Sequence, residues 1–207
     1  MILTLIRHGQ TDFGYQRRYC GSSDVPLNDD GQNQCEKLLE RFKGSAVDTV
    51  YSSGLKRADQ TAQIVFKEKK AIEQPCFREM AFGIIEGLNY EEAVHQYADV
   101  YKAWIKDPWS VPLPQAESFQ DFHTRVTQGL KVLLARHEDK SSIALVSHSG
   151  PIRVILCEAL GRSFKDFWTI QQDNAAVNII EYHPSQRPKV IVINDTEHLK
   201  VLQKANL

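Results

Sequence analysis

Two short apolar runs in this chain each stop at a histidine, and this pairing constrains the fold more than any other feature. Ile2-Leu3-Thr4-Leu5-Ile6 leads into Arg7-His8-Gly9-Gln10-Thr11, and Ile143-Ala144-Leu145-Val146 leads into Ser147-His148-Ser149-Gly150. Runs so short and so continuously apolar suit strands buried on both faces of a sheet. Helix-like stretches separate the strand-like ones. Cys35, Leu38, Leu39 and Phe42 recur at helical spacing, which predicts an amphipathic helix from about Asp30 to Lys43. Val47–Tyr51 reads as a strand, and Ser52-Ser53-Gly54 can cap the helix marked by Leu55, Ala58, Ala62 and Val65. Phe119, Phe122, Val126, Leu130, Leu133 and Leu134 mark a long helix from about Glu117 to Arg136. Pro151 suits the first turn of another, running to about Leu160. Gln74–Phe77 reads as a short third strand, Tyr90–Ile105 as one or two helices, and Val177–Tyr182 and Lys189–Asn194 as the last strands.

Strands alternating with helices predict an α/β fold, three layers α/β/α around a mostly parallel central sheet. Residues 70–115 depart from this rhythm, with a loop-like Arg78–Gly87 and three prolines between Asp107 and Gln115. They read as a small helical cap on one domain spanning residues 1–207. Gly9–Asp29 reads as a long polar loop, and loops of that length in a compact domain usually carry function.

Charge narrows the partners. Lys and Arg total 25 against 26 Asp and Glu, a formal net charge of -1. That balance excludes a general nucleic-acid binder, while leaving room for a local pocket for a small anion. No apolar run is long enough to span a bilayer, so no membrane partner is expected. Residues 1–6 are too short for a signal-peptide core. Cys20, Cys35, Cys76 and Cys157 form no C-x-x-C motif, which reads as free thiols and a cytoplasmic location. No metal or other cofactor is expected, since His95, His123, His137, His183 and His198 show no ligand spacing.

The histidines locate a candidate site. In open α/β sheets, ligands bind beyond the carboxyl ends of the strands. If the two apolar strands are parallel neighbours, His8 and His148 face one crevice. Gly9 and Gly150 allow a ligand close to the backbone, and a helix starting near Pro151 would aim its N-terminus there, which favours an anion. A single histidine after a strand is ordinary. Two of them, with Arg7 able to bind phosphate or carboxylate through two nitrogens, point to an anion site. Arg57 lies off the apolar stripe of its helix, where a solvated charge is the plain reading.

Six blocks in order carry a family resemblance. Arg7-His8-Gly9-Gln10-Thr11 resembles the Arg-His-Gly-Glu-Thr signature of the histidine phosphatase superfamily, the phosphoglycerate-mutase-like group. Gly21-Ser22-Ser23-Asp24-Val25-Pro26-Leu27-Asn28 is similar to its Gly-x-x-Asp-x-Pro-Leu segment. Ser52-Ser53-Gly54-Leu55-Lys56-Arg57-Ala58-Asp59-Gln60-Thr61-Ala62 resembles its Ser-Ser-x-Leu-x-Arg-Ala-x-Gln-Thr-Ala helix. Arg78–Gly87 resembles its acid-bearing loop, and Glu117-Ser118-Phe119 with Val146–Gly150 complete the set.

The resemblance implies a phosphomonoesterase acting on a small phosphorylated metabolite. His8 would be the nucleophile and form a phosphohistidine. Arg7, Arg57 and His148 would hold the phosphate oxygens, with His148 protonated beside the dianion. Glu79 would protonate the leaving oxygen and then activate water, with Glu86 as a rival seven residues later. Gln10, Thr11, Gly21 and Ser149 are second-tier contacts, Gly21 through its backbone N–H. Gly14, Ala116 and Gln10 stand where the family usually has Asn, Gly and an acid. The loss of the Asn puts one phosphate contact in doubt.

Within the family, Asp107-Pro108-Trp109, Glu117-Ser118-Phe119, Asp173-Asn174-Ala175-Ala176 and the Ile193–Leu199 tail resemble small bacterial phosphatases, of which α-ribazole phosphatases and metal-independent phosphoserine phosphatases are examples. The resemblance does not choose between them, and it points to α-ribazole 5'-phosphate or a similar small phosphomonoester as substrate. A cofactor-dependent phosphoglycerate mutase is the alternative. Its longer, arginine-bearing insertion is replaced here by Tyr97–Trp104, with few cations. An inactive phospho-ligand binding module is a second alternative, and a metal-dependent hydrolase a third. A homodimer is common among relatives.

Overall fold

The sheet is built around strands that are apolar on both sides. A computed structural model describes residues 1–200. The helices and strands, in chain order, are β1 (Ile2–Arg7), α1 (Asp12–Tyr15), α2 (Asp29–Phe42), β2 (Thr49–Ser52), α3 (Lys56–Val65), β3 (Ile72–Glu73), α4 (Tyr90–Gln96), α5 (Ala98–Lys106), α6 (Phe119–Ala135), β4 (Ser142–Ser147), α7 (Ser149–Leu160), β5 (Val177–Glu181) and β6 (Lys189–Asp195). The six strands form one sheet in the order β3-β2-β4-β1-β5-β6. β3, β2, β4 and β1 run parallel, and β5 and β6 add on antiparallel. The sheet is therefore mixed and mostly parallel, an α/β fold as expected.

Alternate residues of each strand feed two separate cores, as the two-residue period of a strand requires. Leu3, Leu5, Ile143, Leu145 and Ile180 pack beneath α6 and α7. Ile6, Val50, Ala144, Val146 and Val177 pack beneath α2 and α3 on the other face. Ala93, Tyr101, Trp104 and Leu113 of the excursion join the α6/α7 core. The excursion is thus tied into the main body and has no separate core among these residues. Tyr101 and Trp104 pack internally, and Trp109 stacks between Phe119 and Phe164.

Two local expectations need correction. The third strand is Ile72–Glu73, and Pro75–Phe77 is a turn of 3-10 helix instead. Proline at the first helical position lacks the N–H a strand ladder needs. The loop after β1 contains α1, because Thr11 Oγ1 accepts the Gly14 N–H and caps it. Tyr90–Ile105, expected as one or two helices, forms two, α4 and α5, and Asn89 and Glu92 form a reciprocal capping box at the start of α4.

The topology sets the site. β1 and β4 are parallel neighbours, with Arg7 opposite Ser147. His8 and His148 each lie one residue past that register, so both leave the sheet at its carboxyl end. The His8 N–H donates to the Ser147 carbonyl at 3.0 Å.

Candidate active site

His8 and His148 meet with ring centroids 5.0 Å apart. Hydrogen bonds set their tautomers. His8 Nδ1–H donates to the Gly9 carbonyl at 2.7 Å, which leaves Nε2 with its lone pair. Arg57 Nε–H donates to His148 Nδ1, so Nδ1 is the acceptor and Nε2–H is left to donate to Ser53 Oγ at 2.7 Å. Arg57 Nε–H lies between them, 3.3 Å from His8 Nε2 and 3.2 Å from His148 Nδ1.

Arg57 is fully buried, which the solvated reading does not allow. Its remaining donors reach backbone carbonyls of the loop after α1: Nη1 to Ser23, and Nη2 to Gly21 and Cys20. A buried guanidinium requires such acceptors. They come from residues distant in sequence, so helical periodicity gives no sign of them.

Burial and the neighbouring cations decide the charge of both histidines. His8 is held well below the ordinary histidine range, chiefly by burial and then by Arg57 and Arg7. His148 is lowered in the same way, by burial and Arg57. Both are therefore neutral at pH 7. Arg7 is itself lowered to about 10 by burial. Its Nη1 donates to the Gln172 carbonyl at 2.5 Å, while its buried Nε has no partner.

These pKa directions predict a pH dependence. Unfolded histidines titrate near ~6.5. Below that pH the unfolded chain binds protons that the folded one refuses, so stability falls as pH falls. The slope reaches about 1.4 kcal/mol per pH unit for each buried histidine. Urea midpoints should drop clearly between pH 7 and pH 5.5. A flat profile across that range would contradict the neutral pair.

Glu79 reaches the crevice from the stretch after the 3-10 turn. Its carboxylate lies at the N-terminus of α7, where Oε2 accepts Ser149 Oγ–H at 3.1 Å and the Gly150 N–H at 3.0 Å. Oε1 accepts the Met80 N–H. A Cβ on Gly150 would stand 2.1 Å from Glu79 Oε1, so only glycine admits the carboxylate here. Arg125 of α6 holds the same segment by donating to the Cys76, Arg78 and Glu79 carbonyls.

Glu86 has a different position. Its Oε1 accepts the Gly21 and Ser23 N–H groups, and its Oε2 accepts that of Phe82. Glu86 thus clamps the loop after α1 to the excursion. Gly21 is corrected by the same contact: its N–H faces Glu86 and not the crevice. A Cβ there would come within 2.0 Å of the Met80 carbonyl. Gly21→Ala should therefore displace the carbonyl that receives Arg57 and cost about 1–3 kcal/mol, read as a lower denaturation midpoint. A midpoint equal to wild type would refute the clamp.

The open crevice above His8 has a volume of about 180 Å³. Arg7, His8, Thr11, Glu79 and Ser149 line it among the expected residues. Gln10 does not, because its N–H donates to Gln34 and its side chain pairs with Asn28. Arg57 and His148 form the buried floor. Asn174, Tyr19 and Phe82 line the crevice without having been singled out for it. Asn174 Nδ2 donates to the His8 and Gly9 carbonyls, which fixes the turn that carries His8. Arg18 also reaches the rim but is tied to Glu92 and the Gly87 carbonyl. Among the described residues no three His, Cys, Asp or Glu side chains converge as a metal site, and no helix is long and apolar enough to cross a membrane.

Known proteins resemble this chain in sequence and in fold. Residues 3–196 match the family model for the histidine phosphatase superfamily (branch 1). The chain is 30% identical over 200 residues to phosphoserine phosphatase 1 of Hydrogenobacter thermophilus, covering 95% of this chain and 93% of that one. It is 30% identical over 184 residues to the adenosylcobalamin/alpha-ribazole phosphatase of Escherichia coli, covering 87% and 90%. The crystal structure of the alpha-ribazole phosphatase from Shigella flexneri superposes with a TM-score of 0.88 at 27% identity, covering 95% and 97%. The chain belongs to the histidine phosphatase superfamily, branch 1, and is a phosphatase of that family.

Proposed function

We propose that this phosphatase hydrolyses a small phosphomonoester in two steps through a phosphohistidine on His8. The observation that carries this reading is the bond from His8 Nδ1–H to the Gly9 carbonyl. It holds the ring with an unprotonated Nε2 inside a cationic crevice, the state a nucleophile needs. In the first step Nε2 attacks phosphorus, the bond from phosphorus to the ester oxygen breaks, and Glu79 supplies the proton to the departing alkoxide. In the second step Glu79 takes a proton from water, the hydroxide attacks phosphorus, and the N–P bond breaks to release phosphate. Arg7, Arg57 and His148 offset the charge on the phosphoryl oxygens, which is most of what such a transfer requires. The incoming dianion raises the proton affinity of His148, so the imidazolium forms with substrate bound. Thr11 and Ser149 contribute hydroxyls at the crevice wall.

The relatives' names point to alpha-ribazole phosphate and phosphoserine, and both are esters to assay first. The test is turnover of p-nitrophenyl phosphate with excess chelator. Full activity is expected, since every role above is assigned to a side chain. Loss of turnover on chelation would favour a metal-dependent hydrolase. Tight phosphate binding without turnover would favour a binding module.

A further inference from the structure

We propose that Arg153 reads a carboxylate on the leaving group, so that the preferred substrates are phosphomonoesters of small hydroxy acids. This rests on the phosphatase reading above. A narrow slot of about 40 Å³ opens beside the crevice and shares Glu79, Phe82 and Ser149 with it. The slot lies on the Glu79 side, where the ester oxygen departs. Its far wall is Phe119, Phe167 and Trp168, and Arg153 is its one basic residue.

Arg153 is held there as a preorganised fork. Its guanidinium carbon lies 5.4 Å from the Phe167 ring centroid and 5.6 Å from that of Trp168. Nε–H donates to the Ile170 carbonyl at 2.7 Å. Nη1 and Nη2 donate to no acceptor among the described residues, and Arg153 forms no salt bridge there. Stacking and one backbone bond fix the plane, which leaves a two-pronged donor set without a protein carboxylate. Trp168 is half-exposed at the rim, so the stack is open to solvent on one side.

The slot selects the size of the anion. Its volume suits a carboxylate and not a bulky aromatic or ribosyl group, which would have to remain outside. Burial lowers the pKa of Arg153, and Glu79 opposes that shift, which places the two side chains in one electrostatic neighbourhood. Packing alone would explain the aromatic stack. It does not explain unpaired donors beside the proposed acid.

The experiment compares esters that differ only in the carboxylate: O-phosphoserine with O-phosphoethanolamine, and 3-phosphoglycerate with glycerol 3-phosphate. In wild type, kcat/KM should favour the carboxylate member of each pair by about tenfold or more. Arg153→Met should lower that ratio by more than threefold, and Arg153→Lys by an intermediate factor, because a charge remains without the fork. A wild-type ratio near one, or a ratio unchanged in both variants, overturns the inference. Equal losses on both members mean that Arg153 acts only through Glu79 or packing, which also overturns it. If Arg153→Met does not fold, Arg153→Lys and the wild-type ratios decide. If wild type hydrolyses no ester, the phosphatase reading fails first, and calorimetric dissociation constants for the same pairs then decide this inference.

Discussion

Replacing His8 by alanine is expected to lower kcat for p-nitrophenyl phosphate by about 10⁴-fold or more, since removal of a covalent nucleophile abolishes the two-step route. Residual activity would reflect only direct attack by water on a phosphate still held by Arg7, Arg57 and His148. A second readout separates a lost nucleophile from a disturbed pocket. Wild type quenched in acid or base during turnover should carry phosphate on a nitrogen, labile in acid and stable in base. The variant should carry none. His8 is only 6% exposed, so truncation also removes a group whose neutral burial makes the fold acid-sensitive. The variant should therefore lose part of the stability decline between pH 7 and pH 5.5. Turnover equal to wild type would remove His8 from the nucleophile role.

The strands and helices that position His8 are legible because their patterns are local. Leu3, Leu5, Ile143 and Leu145 alternate with Ile6, Ala144 and Val146, and this spacing alone requires two helical layers. The step from two apolar runs to one crevice needs only that β1 and β4 be parallel neighbours, which they are. Contacts set by loops are less legible. Arg57 follows the helical period of an exposed charge, yet the carbonyls of Cys20, Gly21 and Ser23 enclose it. Gly21 and Gln10 occupy motif positions, but Glu86, Asn28 and Gln34 engage them instead. Asn174 and Arg153 belong to no periodic signal. Asn174 lies on the return of the chain from α7 to β5, and Arg153, on α7, packs against Phe167 and Trp168 of that return. The third strand is displaced for a simpler reason: Pro75 cannot join a ladder, so pairing stops at Glu73.

The dependence on leaving group gives the sharpest test of Glu79. Glu79→Gln keeps the volume and can still accept from Met80 or Gly150, so the fold should persist. It cannot carry a transferable proton. For an alkyl phosphate, whose alkoxide is strongly basic, kcat should fall by about 10²–10⁴-fold, the usual contribution of general acid–base catalysis. For p-nitrophenyl phosphate the leaving phenolate needs no proton. The first step should then remain fast while the second, which needs a base to activate water, slows. Such a variant should accumulate phosphohistidine, seen as a burst of p-nitrophenol followed by slow turnover. The same substitution at Glu86 should behave differently, because Glu86 accepts three backbone N–H groups and reaches no reacting atom. Glu86→Gln should lower the denaturation midpoint and reduce rates alike for both esters. A leaving-group dependence found at Glu86 and absent at Glu79 would exchange the two roles. The geometry opposes that exchange: Glu79 lines the crevice beside Ser149, and Glu86 is turned toward Gly21 and Phe82.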